Sequence, residues 1–296
     1  MTRQPYVWIA LIALLLCSSC EKMVIDEQTT SSSADEKNAN IVLSINDASF
    51  HPYQTSTRAV VDITTYCSRL NFVLYQNGEK VKTIEQSKDD DGYGQVALAL
   101  EPGTYQLLVL AHSCKTNPTL SHIEEIKFNN KETGFSDTFY YYGELQVTDE
   151  PRVQNHSIRL TRATTLVRLE MNDYPQDLHY ITVYYTGGSG VFNAVTGYGG
   201  SVNSQQEVSY RVVNYVENNV PFVFPVYTFL QQDTGSMFLR ITACRENGEV
   251  IMQREYSNVP VERGKMTIFT GYFFDPQNNF SMTAETDWDT AATLTY

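Results

Sequence analysis

From Ile41 onward, apolar and polar residues trade places with a period of two, the mark of strands that turn one face to a core. Leu70, Phe72 and Leu74 alternate up to Asn77-Gly78, a dipeptide suited to a two-residue hairpin turn, and residues 81–84 begin the return strand. Val96, Leu98 and Leu100 alternate into the turn Glu101-Pro102-Gly103, and Tyr105, Leu107, Val109 and Ala111 alternate away from it. Phe139-Tyr140-Tyr141-Tyr142 with residues 145–147 predicts a strand pair or one bent strand, and Ile158 and Leu160 close the first half.

The second half opens with a strand over residues 165–171, followed by Ile181, Val183 and Tyr185, then a glycine-rich passage from Gly187 to Gly200. Residues 222–229 are apolar but carry Pro225, which predicts an edge strand or a bulge. Met237, Leu239, Ile241 and Ala243 lead into a second hairpin signal, Asn247-Gly248, and residues 266–274 and 280–284 complete the set. No stretch holds a helical period over three turns; residues 120–128 are the best place for a short helix. A weak internal repeat is visible: an Asn-Gly hairpin, then a Glu-x-Gly or Glu-Pro-Gly turn and an apolar strand, once in each half. The reading is an all-β chain of two antiparallel, Ig-like β-sandwiches in tandem, 41–161 and 162–296, with the boundary near Thr161-Arg162.

The first 40 residues follow another rule. Arg3 precedes an uninterrupted apolar run from Val7 to Cys17, eleven residues and too short for the roughly 20 of a spanning helix. Ser18 and Ser19, both small, stand before Cys20, and charged Glu21-Lys22 follow. Residues 1–20 therefore read as a secretory signal ending in a lipid-attachment cysteine, Cys20. An ordinary cleaved signal and a short anchor are the alternatives. Cys17 fits less well behind bulky Leu14, Leu15 and Leu16. Each buried methylene of an acyl chain, palmitate for example, contributes about 0.8 kcal/mol, so two or more chains hold a protein on a membrane. Residues 21–40 are polar and low in complexity, a flexible tether.

The formal net charge of −13 excludes nucleic acid and an electrostatic grip on anionic lipid, which leaves the acyl chain as the membrane contact. After Cys20 only Cys67, Cys114 and Cys244 remain. Cys67 starts one strand and Cys114 ends another, so they could meet as a disulfide in an exported protein or stay as two isolated thiols. His112 and Cys114, two apart at a strand end, could form a thiol–imidazole pair or part of a zinc site, but no second ligand pair stands at metal spacing. Asp89-Asp90-Asp91-Gly92 lacks the first and last acids of a calcium loop and reads as a solvated turn. Gly187-Gly188-Ser189-Gly190 and the run from Gly197 to Gly200 lack the lysine of a phosphate loop and read as mobile surface loops, where a binding surface would sit. Arg58 is either a loop arginine or a trypsin-like processing site. No cofactor, metal, small-molecule substrate or enzymatic activity is expected.

Several stretches together resemble the FimB/Mfa-type fimbrial subunits of Bacteroidia-type bacteria, lipoprotein relatives of the fimbrillins. They are Cys67-Ser68-Arg69-Leu70-Asn71-Phe72, Glu101-Pro102-Gly103-Thr104-Tyr105, Asp137-Thr138-Phe139-Tyr140-Tyr141-Tyr142-Gly143-Glu144-Leu145, Leu160-Thr161-Arg162-Ala163, Tyr184-Tyr185-Thr186-Gly187-Gly188, Ala194-Val195-Thr196-Gly197-Tyr198-Gly199 and Tyr272-Phe273-Phe274. The resemblance implies transthyretin-like sandwiches on a lipidated outer-membrane tether, and a role as anchor or accessory subunit of a surface fimbria. It implies partners that are other fimbrial subunits, joined by strand complementation. It also keeps open a stalk or tip subunit processed after Arg58. Two rivals remain: a surface glycan-binding lipoprotein with exposed aromatics around Tyr198 and Tyr227, and a lipid-tethered enzyme using His112 and Cys114.

Overall fold

In the computed structural model, which describes residues 38–49, 63, 66–128, 135–200, 206–218, 222–275 and 281–285, the alternation resolves almost entirely into strands. In chain order they are β1 (Ile41–Ser49), β2 (Arg69–Gln76), β3 (Glu79–Ser87), β4 (Gln95–Leu98), β5 (Gly103–His112), β6 (Ile126–Lys127), β7 (Phe139–Val147) and β8 (Gln154–Arg162). There follow β9 (Thr164–Met171), β10 (Tyr180–Thr186), β11 (Val191–Asn193), β12 (Tyr198–Gly199), β13 (Gln206–Arg211) and a six-residue helix, α1 (Val213–Asn218). The last are β14 (Phe222–Phe229), β15 (Thr234–Cys244), β16 (Val250–Glu262), β17 (Met266–Gly271) and β18 (Ser281–Glu285).

The sheets repeat one topology. Strands run in the order β3-β2-β5-β7, then through two residue pairs, Phe139 with Arg162 and Tyr140 with Thr161, into β8-β1-β4. Later strands run β13-β10-β15-β16 and β14-β9-β17-β18. Matched one to one, β1, β2, β3, β4, β5, β7 and β8 correspond to β9, β10, β13, β14, β15, β16 and β17. In each set the first strand lies parallel to the last, β1 to β8 and β9 to β17, and antiparallel to the fourth. β18 is an eighth strand, with no counterpart among the described residues. The turn residues that suggested a repeat do not align with it: Asn77-Gly78 joins the second and third strands of its set, Asn247-Gly248 the fifth and sixth.

Both hairpin signals form. Asn77 and Gly78 have φ of 54° and 83°, the two positive angles of a type I′ turn, and Gly248 has 85°. Pro225 sits on β14, an edge strand, where its missing N–H costs no ladder bond. Residues 139–147 are one strand. The helix expected over residues 120–128 is absent: Ile126 and Phe128 are buried two residues apart, a strand's spacing, and β6 forms there.

Each set of strands packs over its own core. Ile41, Leu43, Phe72, Leu107, Val109 and Ile158 belong to the first, and Leu169, Ile181, Val183, Phe224, Leu239 and Phe269 to the second. A third core lies between them. It draws Val73, Tyr75, Leu108 and Leu110 from the other face of β2 and β5, Phe128 and Phe135 from the segment between β5 and β7, Phe192 from β11 and Phe229 from β14. Over it β6, inserted between β5 and β7, pairs with β11, inserted between β10 and β13, in the sheet β12-β11-β6.

The glycine-rich passage is therefore not a mobile surface loop. Ser189 and Phe192 are fully buried, and a Cβ on Gly199 would stand 2.9 Å from the Phe229 carbonyl oxygen and 2.9 Å from Ser189 Cβ. The glycines let two backbones approach across the third core. Gly199→Ala should cost about 1–3 kcal/mol, the range for forced overpacking, measured as a lower urea midpoint with an unchanged m-value.

Candidate functional site

The centre of the molecule is the step from β8 to β9. Arg162 ends β8 with its side chain wholly buried, and Asp137, just before β7, meets it. Arg162 Nε donates to Asp137 Oδ1 at 2.9 Å and Oδ2 at 3.1 Å, and Nη2 donates to Oδ2 at 2.7 Å. Thr164 Oγ1 donates to Asp137 Oδ1 at 2.9 Å, and the guanidinium lies 4.9 Å from the Phe139 ring centroid. Ala163 N–H donates to Thr138 O at 2.8 Å, so side chains and main chain close the same step. A buried charge pair survives desolvation only with this density of partners.

His112 and Cys114 do not form a thiol–imidazole couple. His112 Nδ1 accepts from the Cys114 main-chain N–H at 3.2 Å, so the ring proton is on Nε2, which donates to Asn71 Oδ1 at 2.9 Å. The ring is buried edge-on against Phe128. Burial, with the charge of Arg69 adding to it, lowers its pKa to about 4. Cys114 and Cys67 are both buried, and each stands as a free thiol. Cys114 Sγ stands 3.4 Å from Ser136 Oγ, and Cys67 Sγ 4.0 Å from Asp137 O. Among the described residues no three His, Cys, Asp or Glu side chains gather as a metal site would need. Cys20 and Arg58 lie outside the described residues.

Asp89-Asp90-Asp91-Gly92 is a tight exposed turn in which Asp90 Oδ2 accepts the Ser87 N–H at 2.8 Å. The aromatics proposed for sugar stacking are not free faces. Tyr227 is buried, while Tyr198 OH donates to Asp233 Oδ1 at 2.9 Å and its ring lies under Arg263, 4.8 Å away. Arg263 also donates to Tyr140 OH at 3.2 Å, which makes this group a clasp between the two sets of strands.

What remains is main chain. Three of the sheet edges carry the usual guards against strand addition. β3 bears Glu79, Lys80, Lys82 and Glu85; β14 bears Pro225; β16 bears Arg254 and Glu255 and is irregular where its register shifts against β15. β8 differs. It touches β7 through only two residue pairs, so among the described residues its flank over residues 154–160 faces no strand, and Arg159 is the one formal charge there. At the matching flank of β17 in the second set, β18 is paired from Met266 with Glu285 to Thr270 with Ser281. Residue patterning could not single out this flank, because the loss of a partner leaves no mark on alternation.

The model of a family of unknown function, DUF6562, matches residues 30–295. No curated protein matches the chain. Among solved structures the chain is similar to a candidate adhesin from Bacteroides ovatus, at 12% identity over 77% of this chain and 86% of that one, with a TM-score of 0.48. It is similar to the tip fimbrial protein Mfa3 from Porphyromonas gingivalis, with C-terminal truncation, at 11% identity over 84% and 99% with a TM-score of 0.44. The fimbrial anchor protein Mfa2 from the same organism matches at 13% identity over 82% and 94%, with a TM-score of 0.39. Fimbrial proteins, the class named by the sequence resemblance, are thus among its structural neighbours.

Asp137→Ala leaves Arg162 buried without its counter-charge and should cost about 3–5 kcal/mol in urea unfolding. His112 makes stability fall with acid: a group held neutral to about 4 when folded and titrating near 6.5 when unfolded stabilises fully above that upper value. Its contribution is lost as pH falls from about 6.5 to about 4. His112→Asn should therefore lose about 2 kcal/mol less than the wild type between about pH 7 and about pH 4.5, read from paired denaturant curves.

Proposed function

We propose that this chain, which belongs to the DUF6562 family, is a non-enzymatic outer-membrane lipoprotein that anchors or joins a surface fimbria. In this reading residues 1–20 are the export signal, acyl chains sit on Cys20, and residues 21–40 tether the body to the membrane. The body is two transthyretin-like sandwiches, 41–161 and 162–296, and it takes other fimbrial subunits by strand complementation. The observation that carries the strand-binding part is the flank of β8. In the second set the matching flank is filled by a short terminal strand, and a β-strand edge gains main-chain hydrogen bonds from whatever strand is laid on it. The export tetrad Cys17-Ser18-Ser19-Cys20 carries the membrane part.

A second reading has its own observation. Arg58 follows β1 in sequence, and β1 is an interior strand between β8 and β4 that gives Ile41 and Leu43 to the core. Cleavage after Arg58 would leave β1 held only by non-covalent contacts, and the departure of β1 would take the lipid with it. Loss of β1 would open a groove between β8 and β4, as a stalk or tip subunit needs.

Immunogold microscopy of intact cells, with a Cys20→Ala strain beside the wild type, separates these readings. Label at fibre bases, with longer or shed fibres in the mutant, is the expected result for an anchor. Label along the shafts or at the tips, with an N-terminus beginning at Ala59, would assign the processed subunit. Surface label with no fibres would refute a fimbrial role.

A further inference from the structure

We infer that Cys67 and Cys114 are the two halves of an intramolecular disulfide that closes in the exported protein beneath the β8–β9 step. The β2–β5 ladder ends with Arg69 opposite His112, and each cysteine stands two residues beyond that end on its own strand. Ser68 N–H, between Cys67 and the ladder, donates to His112 O at 3.1 Å and Ser113 Oγ at 3.1 Å, so the two chains stay together up to the cysteines. Both thiols then turn to one place. Ser113 N–H donates to Ser136 Oγ at 2.7 Å, and Ser136 O–H donates to Asp137 O at 3.2 Å. With that hydroxyl proton engaged, Cys114 S–H is left to donate to Ser136 Oγ, while Cys67 S–H points at Asp137 O. The sulfurs flank a single Ser136–Asp137 unit, and neither has a strong partner there.

Among the described residues no other thiol competes. Cys244, at the end of β15 opposite Tyr180 and Val250, lies in the other set of strands. Burial pushes both thiols up, so neither is a ready thiolate once the chain has folded. The bond therefore forms before β2 and β5 close over the pair. A thiolate of one cysteine attacks the disulfide of a dithiol–disulfide carrier of the export compartment and forms a mixed disulfide. The second cysteine, as thiolate, displaces the carrier. Two thiols lose two protons and two electrons, and the carrier leaves as its dithiol.

The inference rests on export but not on a fimbrial role. Mass spectrometry of the full chain tests it, using protein from the membrane fraction of its own host, alkylated in denaturant without reduction. The expected products are a peptide pair linked through Cys67 and Cys114, and alkylated Cys244. Reduction should lower Tm by roughly 5–10 °C. Three alkylated thiols, or a link through Cys244, would overturn the assignment. A parallel sample of purified full chain, refolded in glutathione redox buffer, tells the two causes of failure apart. No link there either faults the geometry, whereas a link formed only there faults the exported location.

Discussion

A wholly buried arginine with one carboxylate to answer it sets the terms for this molecule. Arg162 and Asp137 lie 25 positions apart, one at the end of β8 and the other just before β7, and their forked contact holds the place where the two sets of strands meet. Apolar residues of similar volume there could stabilise as well or better, since desolvating two ions is costly. What the pair adds is direction. The guanidinium's planar donors admit the carboxylate in one orientation, Thr164 and Phe139 fix that orientation from either side, and the main-chain bond from Ala163 to Thr138 makes it continuous with the ladder.

Around that point the two sets of strands are tied by parts neither would need alone. β6 comes from an insertion in the first set, β11 and β12 from an insertion in the second, and they pair with each other over a core of aromatic rings. Phe128, Phe135, Phe192 and Phe229 have centroids 5.0–5.9 Å apart where they meet, and the Arg263–Tyr140–Tyr198 clasp closes one side.

Much of this was legible in the residues. Period-two runs placed most of the long strands, Asn77-Gly78 and Asn247-Gly248 placed their hairpins, and Pro225 marked an edge, because each of these signals is local. Val73, Tyr75, Leu108 and Leu110 carried a further message: β2 and β5 are apolar on both faces, as strands covered on both sides must be. The insertions were illegible for a physical reason. Strands of two or three residues are too short to show a period, and glycines chosen for close approach look like glycines of a free loop. The Arg162–Asp137 pair, and the flank of β8 that faces no strand among the described residues, depend on who sits opposite, which no single stretch encodes.

The parallel alignment of β1 and β8 has a mechanical consequence. Chain entry is at Ile41, beside Gln154, whereas the second set of strands hangs from Arg162 at the other end of β8. A pull on the N-terminal segment against the second set drags β1 and β8 past each other along their length. Their hydrogen bonds are then loaded together, in shear, and do not open one at a time like a zip.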